Sequence, residues 1–236
     1  MTKLPIIGQG QTGYGYLLEY DSGVLNPNHN SHLLNESQSA GEDANVVFAV
    51  LQKYGVRNRN GRIYPKEVLE REFEAYKELI KLGASAGELD HPETAIIQVQ
   101  NVSHKLIEIW WEGCTIMGKM KLDTSPAYLK DGIVSTYGDS VLNKMRNGIQ
   151  LGVSSRGVGS VKTDNKQNTI VQNDFEIICW DIVATPSTNG SWMFNNLAAT
   201  KPYVEGKLEN NNQEEILKVA TNDSKFDSIA NFLKKW

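Results

Sequence analysis

An apolar segment that carries two adjacent serines, Ser154 and Ser155, sets the strongest condition on the fold. The residues before the serines, 149–153, have the composition of a strand, and Gly157 follows two positions later. A strand there buries at least one of the two hydroxyls, which costs about 1–3 kcal/mol unless the hydroxyl finds a partner. Either Ser155 is a satisfied strand residue and Ser154 a surface residue, or one of them is a functional serine.

Short strand-like runs outnumber helical patterns in the middle of the chain. Strands are predicted at 46–51, 102–111, 115–122, 169–171 and 175–183. Helices are predicted between Pro65 and Gly83 and over 136–147. Because the later strands are joined by short connections, the sequence predicts an α+β fold with a mostly antiparallel β-barrel core and a few packed helices.

A turn is predicted at 57–62, where Asn60-Gly61 can supply positive φ. The turn carries Arg57, Arg59 and Arg62. Three arginines could bind a phosphate or an acidic partner, but solvated side chains on an exposed turn are the default expectation.

The two ends of the chain differ from the middle in composition. The glycines of 8–15 lack the strand, helix and Gly-Lys-Ser/Thr sequence of a phosphate-binding loop, and 21–43 is rich in Asn, Ser and Gly. We therefore expect a flexible N-terminal arm and linker over 1–44 and one folded domain over 45–197. Residues 198–236 are expected to form a tail that ends in a short helix.

Composition excludes several classes of protein. A formal net charge of −4 argues against a nucleic-acid partner and favours a protein or a small molecule. Cys114 and Cys179 lack CxxC spacing, so neither a disulfide scaffold nor a zinc site is indicated. No apolar run approaches the roughly 18 residues of a membrane span, and no signal pattern begins the sequence. The sequence predicts a soluble, cytosolic protein without cofactor, metal or membrane partner.

His91 is the second candidate functional residue. It stands between Asp90 and Pro92, and a residue before proline is held in extended backbone, which restricts where the imidazole can point. Histidine is also the side chain whose pKa suits a general base near neutral pH. The alternatives are a plain loop histidine, or a metal site that uses Glu88, Asp90 and His91 with His104 as a further ligand.

Four spaced motifs form a set with these candidates: NRNGRIYP at 58–65, GELDHP at 87–92, GVSSRG at 152–157 and DIVATPS at 181–187. In this order, with a Trp-Trp strand between the second and third, the chain resembles the prohead core proteases of T-even-type tailed phages. The resemblance spans about 46–191 and implies a fold like that of herpesvirus assemblin, a β-barrel wrapped by helices. It implies a serine endopeptidase that cleaves phage scaffold, core and capsid proteins inside the prohead, in the host cytoplasm. It leaves a homo-oligomer open.

The resemblance also assigns roles to residues. It places the family's histidine on His91 and its nucleophile in the Ser154-Ser155 pair, and strand alternation favours Ser154 if Val153 and Ser155 face the core. A serine needs a base to take its proton, so His91 would be that base. Asp181 either orients His91 or pairs with Arg156 or a backbone amide.

Two further assignments concern the oxyanion and self-cleavage. Backbone N–H groups near Arg156 and Gly157, with the Arg156 guanidinium, are candidates for stabilising the tetrahedral oxyanion. Family specificity implies cleavage after glutamate in a Leu/Ile-x-Glu context. Leu34-Asn35-Glu36 in the linker matches that pattern and predicts self-removal of the arm, and Leu17-Leu18-Glu19 is a second match.

Two other classes of function stay open from the sequence. A catalytically inactive barrel could serve as a scaffold or core component of the phage head, in which case Ser154 and His91 would lie apart. A metal-dependent hydrolase would use Glu88, Asp90 and His91 instead, and would be inhibited by a chelator.

Overall fold

The chain forms a strand-rich α+β fold, which the computed structural model describes for residues 4–19 and 45–194. Within these ranges the strands form two five-stranded sheets. The strands are β1 (Gly13–Leu18), β2 (Val46–Lys53), β3 (Arg62–Ile63), β4 (Ala86–Glu88), β5 (Val102–Glu112), β6 (Thr115–Leu122), β7 (Gly152–Thr163), β8 (Thr169–Val171), β9 (Glu176–Val183) and β10 (Met193–Phe194). The helices are α1 (Lys66–Lys81), α2 (Pro126–Asp131) and α3 (Tyr137–Arg146), and a short 3₁₀ turn spans Val99–Asn101.

Strand β7 is the centre of the first sheet. This sheet has the order β1-β7-β8-β3, and β9 also pairs with β7. Antiparallel pairing joins residues 156–161 of β7 to β1 and residues 152–158 to β9. The strand predicted to carry the two serines is therefore confirmed, and its neighbours fix which way each serine points.

The second sheet has the order β10-β2-β6-β5-β4 and contains the predicted hairpin of β5 and β6. Two isolated bridges connect it to the first sheet, one between Leu89 and Ile182 and one between Gly152 and Trp192. The first bridge follows β4 and places the chain next to β9, which matters for the site below. Closure of the two sheets into one barrel stays a prediction.

Both helices predicted in the middle of the chain are present. Residues at their termini explain where α1 ends and where α3 begins. In α1 the apolar side chains Val68, Leu69, Phe73 and Tyr76 are buried at helical spacing, and Gly83 follows the helix at φ 72°. The side chain of Thr136 accepts a hydrogen bond from the Asp139 backbone N–H at the start of α3, as in a capping box. The packed face of α1 reaches the first sheet, since the rings of Tyr76 and Trp180 lie 4.6 Å apart.

The prediction of a flexible N-terminal arm was wrong for its first part. Residues 13–18 form β1, and Leu17 and Leu18 are buried against β7. Gly15 allows a close approach, because a Cβ there would lie 2.2 Å from the Pro5 carbonyl oxygen. One of the glycines that suggested flexibility, Gly15, thus permits tight packing of β1 against Pro5.

Other predictions fall on residues 20–44 and 195–236, outside the described part of the chain. These are the linker, the site at Glu36, and the tail with its terminal helix. In the described ranges, no helix has the length and apolar character needed to cross a membrane.

Candidate active site

The two serines point to opposite faces of the first sheet. Ser154 pairs directly with Asp181 of β9, and Ser155 pairs with Trp180. Side chains that lie opposite each other in an antiparallel pair share a face, with Cβ atoms about 5 Å apart. Ser154 and Asp181 therefore share one face. The Ser154 hydroxyl is buried and has no hydrogen-bond partner among the described residues.

His91 reaches this face from the loop that joins the two sheets. Nδ1 of His91 lies 2.8 Å from Oδ2 of Asp181. The Asp90 backbone N–H donates to the Ile182 carbonyl at 2.8 Å, and Asp90 adopts φ 62°, so the chain turns sharply just before His91. Since a carboxylate can only accept, a neutral His91 carries its proton on Nδ1 and keeps the lone pair on Nε2.

Asp181 is the most heavily contacted group in the site. Its Oδ1 accepts hydrogen bonds from the Glu88 backbone N–H at 3.0 Å and from the Cys179 thiol at 3.1 Å, and the Arg156 guanidinium lies within 3.2 Å. Burial alone would raise the pKa of Asp181, but the hydrogen bond and charge of His91 and the charge of Arg156 hold that pKa below its usual value. The structure therefore places Asp181 in contact with both of the partners left open for it, His91 and Arg156.

Arg156 anchors the loop that carries His91. Its buried guanidinium forms a short ion pair with Glu88 and donates to the carbonyl oxygens of Thr94, at 2.7 Å, and Pro92, at 3.4 Å. The guanidinium N–H groups are therefore bonded to residues that lie before and after His91 in the sequence, rather than directed at a substrate carbonyl. This differs from the predicted oxyanion role of the guanidinium.

Gly157 is explained by packing. A Cβ at this position would lie 2.4 Å from the Phe175 ring and 2.7 Å from the Glu176 carbonyl oxygen. The residue is also paired on both sides, with Leu17 of β1 and Ile177 of β9. The structure thus gives Gly157 a packing reason to be glycine, and the oxyanion role of the backbone N–H groups near Arg156 and Gly157 stays a prediction.

Ser155 faces a second buried cluster. Its side chain lies beside Tyr64, and the Tyr64 hydroxyl donates to Oε1 of Glu19 at 2.5 Å. Burial, together with the Glu19 charge, raises the pKa of Tyr64, so this hydroxyl stays a donor. Glu19 forms a buried ion pair with Arg62, at 2.8 Å. Burial would raise the pKa of Glu19, but Arg62 and the hydrogen bonds around the carboxylate lower it.

This cluster corrects two predictions. Arg62 is buried, and so it is not a solvated turn residue. Glu19 is 1% exposed, so its side chain is not accessible to a protease that reads glutamate. The turn at 57–62 is confirmed, with Gly61 at φ 75°.

Comparison with known proteins places the chain in a family. Residues 35–201 match the family described as "Prohead core protein serine protease". The chain belongs to this family. It is 32% identical over 152 residues to the prohead core protein protease of Enterobacteria phage T4, an alignment that covers 62% of this chain and 66% of that relative. It also matches the solved structure of the bacteriophage T4 capsid assembly protease, with a TM-score of 0.54 and 27% identity, over 60% of this chain and 82% of that chain.

Within this serine protease family, the alternative metal site has no geometric support in the described ranges. Glu88 is buried against Arg156, whereas Asp90 is exposed at the turn. No group of three or more His, Cys, Asp or Glu side chains in residues 4–19 and 45–194 could hold a metal ion.

His104, the further ligand considered from the sequence, has a separate structural role. It is buried beside Trp180, with Nε2 at 2.9 Å from the Trp180 carbonyl oxygen and Nδ1 at 2.9 Å from the Ser103 hydroxyl. Because a carbonyl only accepts, the proton is on Nε2 and the imidazole is neutral. Burial lowers the pKa of His104 to about 4.

Proposed function

We propose that the chain is a serine endopeptidase that cuts proteins of the phage prohead during head assembly, with Ser154 as nucleophile, His91 as general base and Asp181 as the group that orients His91. The observation that carries the proposal is the position of Asp181. It lies opposite Ser154 on one sheet face and contacts Nδ1 of His91 on the same face. The hydrogen bond and charge of His91 and the charge of Arg156 outweigh the effect of burial and hold its pKa below the usual value, so it stays ionised, as a group that stabilises an imidazolium must be.

The proposed chemistry follows from this order. Nε2 of His91 takes the proton of the Ser154 hydroxyl as the oxygen attacks the substrate carbonyl, and the charge of Asp181 stabilises the imidazolium that forms. His91 then gives the proton to the leaving amine, and water releases the acyl group by the same steps in reverse. Ser155 has no part in this scheme because its side chain lies on the other face, beside Tyr64.

The proposed substrates are the scaffold, core and capsid proteins of the prohead, cut after glutamate in Leu/Ile-x-Glu contexts. The family description and the T4 relatives support this class of substrate, since they are named as prohead and capsid assembly proteases. The enzyme would work in the prohead interior, within the host cytoplasm. We also propose that it cuts its own chain after Glu36, where the sequence Leu34-Asn35-Glu36 fits the same pattern.

Cleavage of a Leu-x-Glu scaffold peptide by wild type, Ser154→Ala, Ser155→Ala and His91→Ala tests the proposal. Mass spectrometry of each protein's own termini follows self-cleavage in the same samples. We expect Ser154→Ala and His91→Ala to lose both activities while they stay folded, and Ser155→Ala to keep them. Equal cleavage by all four proteins would rule out the Ser154-His91 mechanism, and wild type that is inert both on peptides and in assembled proheads would favour an inactive scaffold.

A further inference from the structure

The carboxylate of Glu19 ends β1 inside a complete set of hydrogen-bond donors. Both oxygens are satisfied by side chains from later parts of the chain. Oε1 accepts from Arg62 at 2.8 Å and from Tyr64 at 2.5 Å, while Oε2 accepts from Asn58 at 2.6 Å, Asn60 at 2.9 Å and Ser187 at 2.9 Å. These five donors fix the position of the carboxylate and replace the water that it loses on burial. The donors come from two of the four sequence motifs, 58–65 and 181–187.

The backbone around Glu19 is fixed as well. The Glu19 N–H donates to the Ser155 carbonyl at 3.1 Å, which continues the pairing of β1 with β7. Arg62 also donates to the carbonyl oxygens of Leu18, at 3.0 Å, and of Ile7. Arg62 therefore holds residues 4–19 at two points.

Apolar packing adds to these polar contacts. Leu17 is fully buried and Leu18 is 4% exposed, and the Ile7 side chain is buried beside them. All of the bonds described above join residues 4–19 to one another or to residues 58–187. The chain segment 20–44 takes no part in them.

We propose that residues 4–19 stay bound to the rest of the fold as strand β1 after the chain is cut between residues 20 and 44, so that the cut protein is a two-chain molecule. The meaning of this for maturation rests on the proposed self-cleavage after Glu36, but the binding itself does not. A cut would remove the covalent connection, which keeps the strand at a high effective concentration beside β7. The hydrogen bonds, the ion pair and the apolar packing would remain.

The test uses the full-length Ser154→Ala protein, which cannot cut itself under the proposed mechanism. Residues 26–32 are replaced by the recognition sequence of a sequence-specific protease, and complete cutting is verified by mass spectrometry under denaturing conditions. Gel filtration at neutral pH and micromolar concentration then shows whether the two pieces stay together. We expect them to co-elute, and separation into a free N-terminal peptide and a folded body would overturn the proposal.

A matched pair of variants shows whether the carboxylate is the anchor. In the cut protein we expect Glu19→Gln to release the N-terminal peptide at least about tenfold faster, because it leaves the Arg62 charge uncompensated. Glu74→Gln removes an exposed carboxylate on α1 and should leave the release rate unchanged. Equal release rates for the two variants would remove Glu19 from its anchoring role.

Hydrogen exchange on the uncut Ser154→Ala protein gives a second measurement that needs no engineered site. The amides of residues 14–19 should be protected to the same degree as those of 156–161 in β7, because the two strands share one ladder. Rapid exchange of 14–19 beside a protected β7 would contradict the proposal. Loss of peptide cleavage alone would count against the proposed function and leave this result standing.

Discussion

A buried ion pair between an arginine and a glutamate lies beside each face of β7. On the face of Ser155 the pair is Arg62 with Glu19, and on the face of Ser154 it is Arg156 with Glu88. The two pairs are equally enclosed, with side chains no more than 2% exposed. What differs is the neighbouring serine.

On the face of Ser155, the buried polar side chains around Glu19 are hydrogen-bonded to its carboxylate. The Ser155 side chain lies beside Tyr64, whose hydroxyl donates to Glu19. The Ser154 face contains a second carboxylate, Asp181, and a hydroxyl without a partner in the described ranges. A buried hydroxyl without a hydrogen-bond partner costs free energy. Such a hydroxyl is expected where a bound substrate supplies the missing contact. Similar buried ion pairs thus accompany a cluster of mutually bonded side chains on one face and, on the other, the serine that we propose as the nucleophile.

The largest difference between the faces should come from removing one carboxylate from each. We expect Asp181→Asn to lower kcat about 10⁴-fold, because an asparagine can stabilise the wrong tautomer of His91 and cannot balance an imidazolium. Its melting temperature should stay close to wild type, since Glu88 still pairs with Arg156. The measurement is steady-state cleavage of the scaffold peptide alongside calorimetry. An Asp181→Asn enzyme with near wild-type kcat would break the distinction between the faces.

The corresponding change on the other face should act on stability. Glu19→Gln in the full chain leaves a buried Arg62 uncompensated, and we expect the free energy of unfolding to fall by about 3–5 kcal/mol. Denaturant titration measures this loss, and Glu74→Gln, at an exposed pair on α1, should change it by less than about 0.5 kcal/mol. If the two variants were equally stable, the Ser155 face would not be the structural one.

The pH dependence of stability should belong to His104 and not to the catalytic face. Its pKa is lowered from the ordinary 6.5 to about 4, so its contribution is present above pH 6.5 and is lost as the pH falls toward 4. Between pH 7 and pH 5 this amounts to about 2 kcal/mol. We expect His104→Gln, which can still donate to the Trp180 carbonyl, to reduce the change in unfolding free energy between pH 7 and pH 5 by about 2 kcal/mol. An unchanged slope would show that other groups dominate.

The smallest effect concerns the turn before His91. Asp90 adopts a left-handed φ of 62°, which costs a β-branched residue about 1–2 kcal/mol. Asp90→Val should therefore lose about that much stability and also lower kcat/KM by displacing His91, while Asp90→Gly and Asp90→Asn should remain near wild type. Peptide cleavage and thermal unfolding of the three variants check this, and a fully active Asp90→Val would show that the turn does not position His91.

Local pattern was enough to predict the elements that pack by their own periodicity. The strand with the serines, the β5-β6 hairpin and helices α1 and α3 all follow from apolar spacing and caps. The motif set indicated His91 and Asp181, which lie 90 positions apart in the sequence. Alternation along β7 then gave the different directions of Ser154 and Ser155.

The parts that the sequence did not reveal depend on partners far along the chain. Arg62 stands in a turn signature, and only the arrival of Glu19 from β1 makes its burial favourable. Arg156 was matched to a substrate oxyanion because its partner Glu88 was considered only as a metal ligand. Gly15 could not be distinguished from a flexible glycine, because the reason for it is the Pro5 carbonyl across the turn. One available signal was the motif at 58–65, in which Asn58, Asn60, Arg62 and Tyr64 all donate to the Glu19 carboxylate.

The position of β1 has a consequence for shortened forms of the chain. β1 covers one edge of β7 along residues 156–161, and residues 5–7 fold over the outer side of β1 through the bonds of Ile7 and Tyr16. A chain that begins at residue 45 would expose that edge as a row of unpaired N–H and C=O groups. It would also expose the apolar surface that Leu17 and Leu18 cover. Such an edge is a template for strand pairing between molecules. We expect fragments without residues 4–19 to aggregate, which makes the first residues of the chain a safeguard of its solubility.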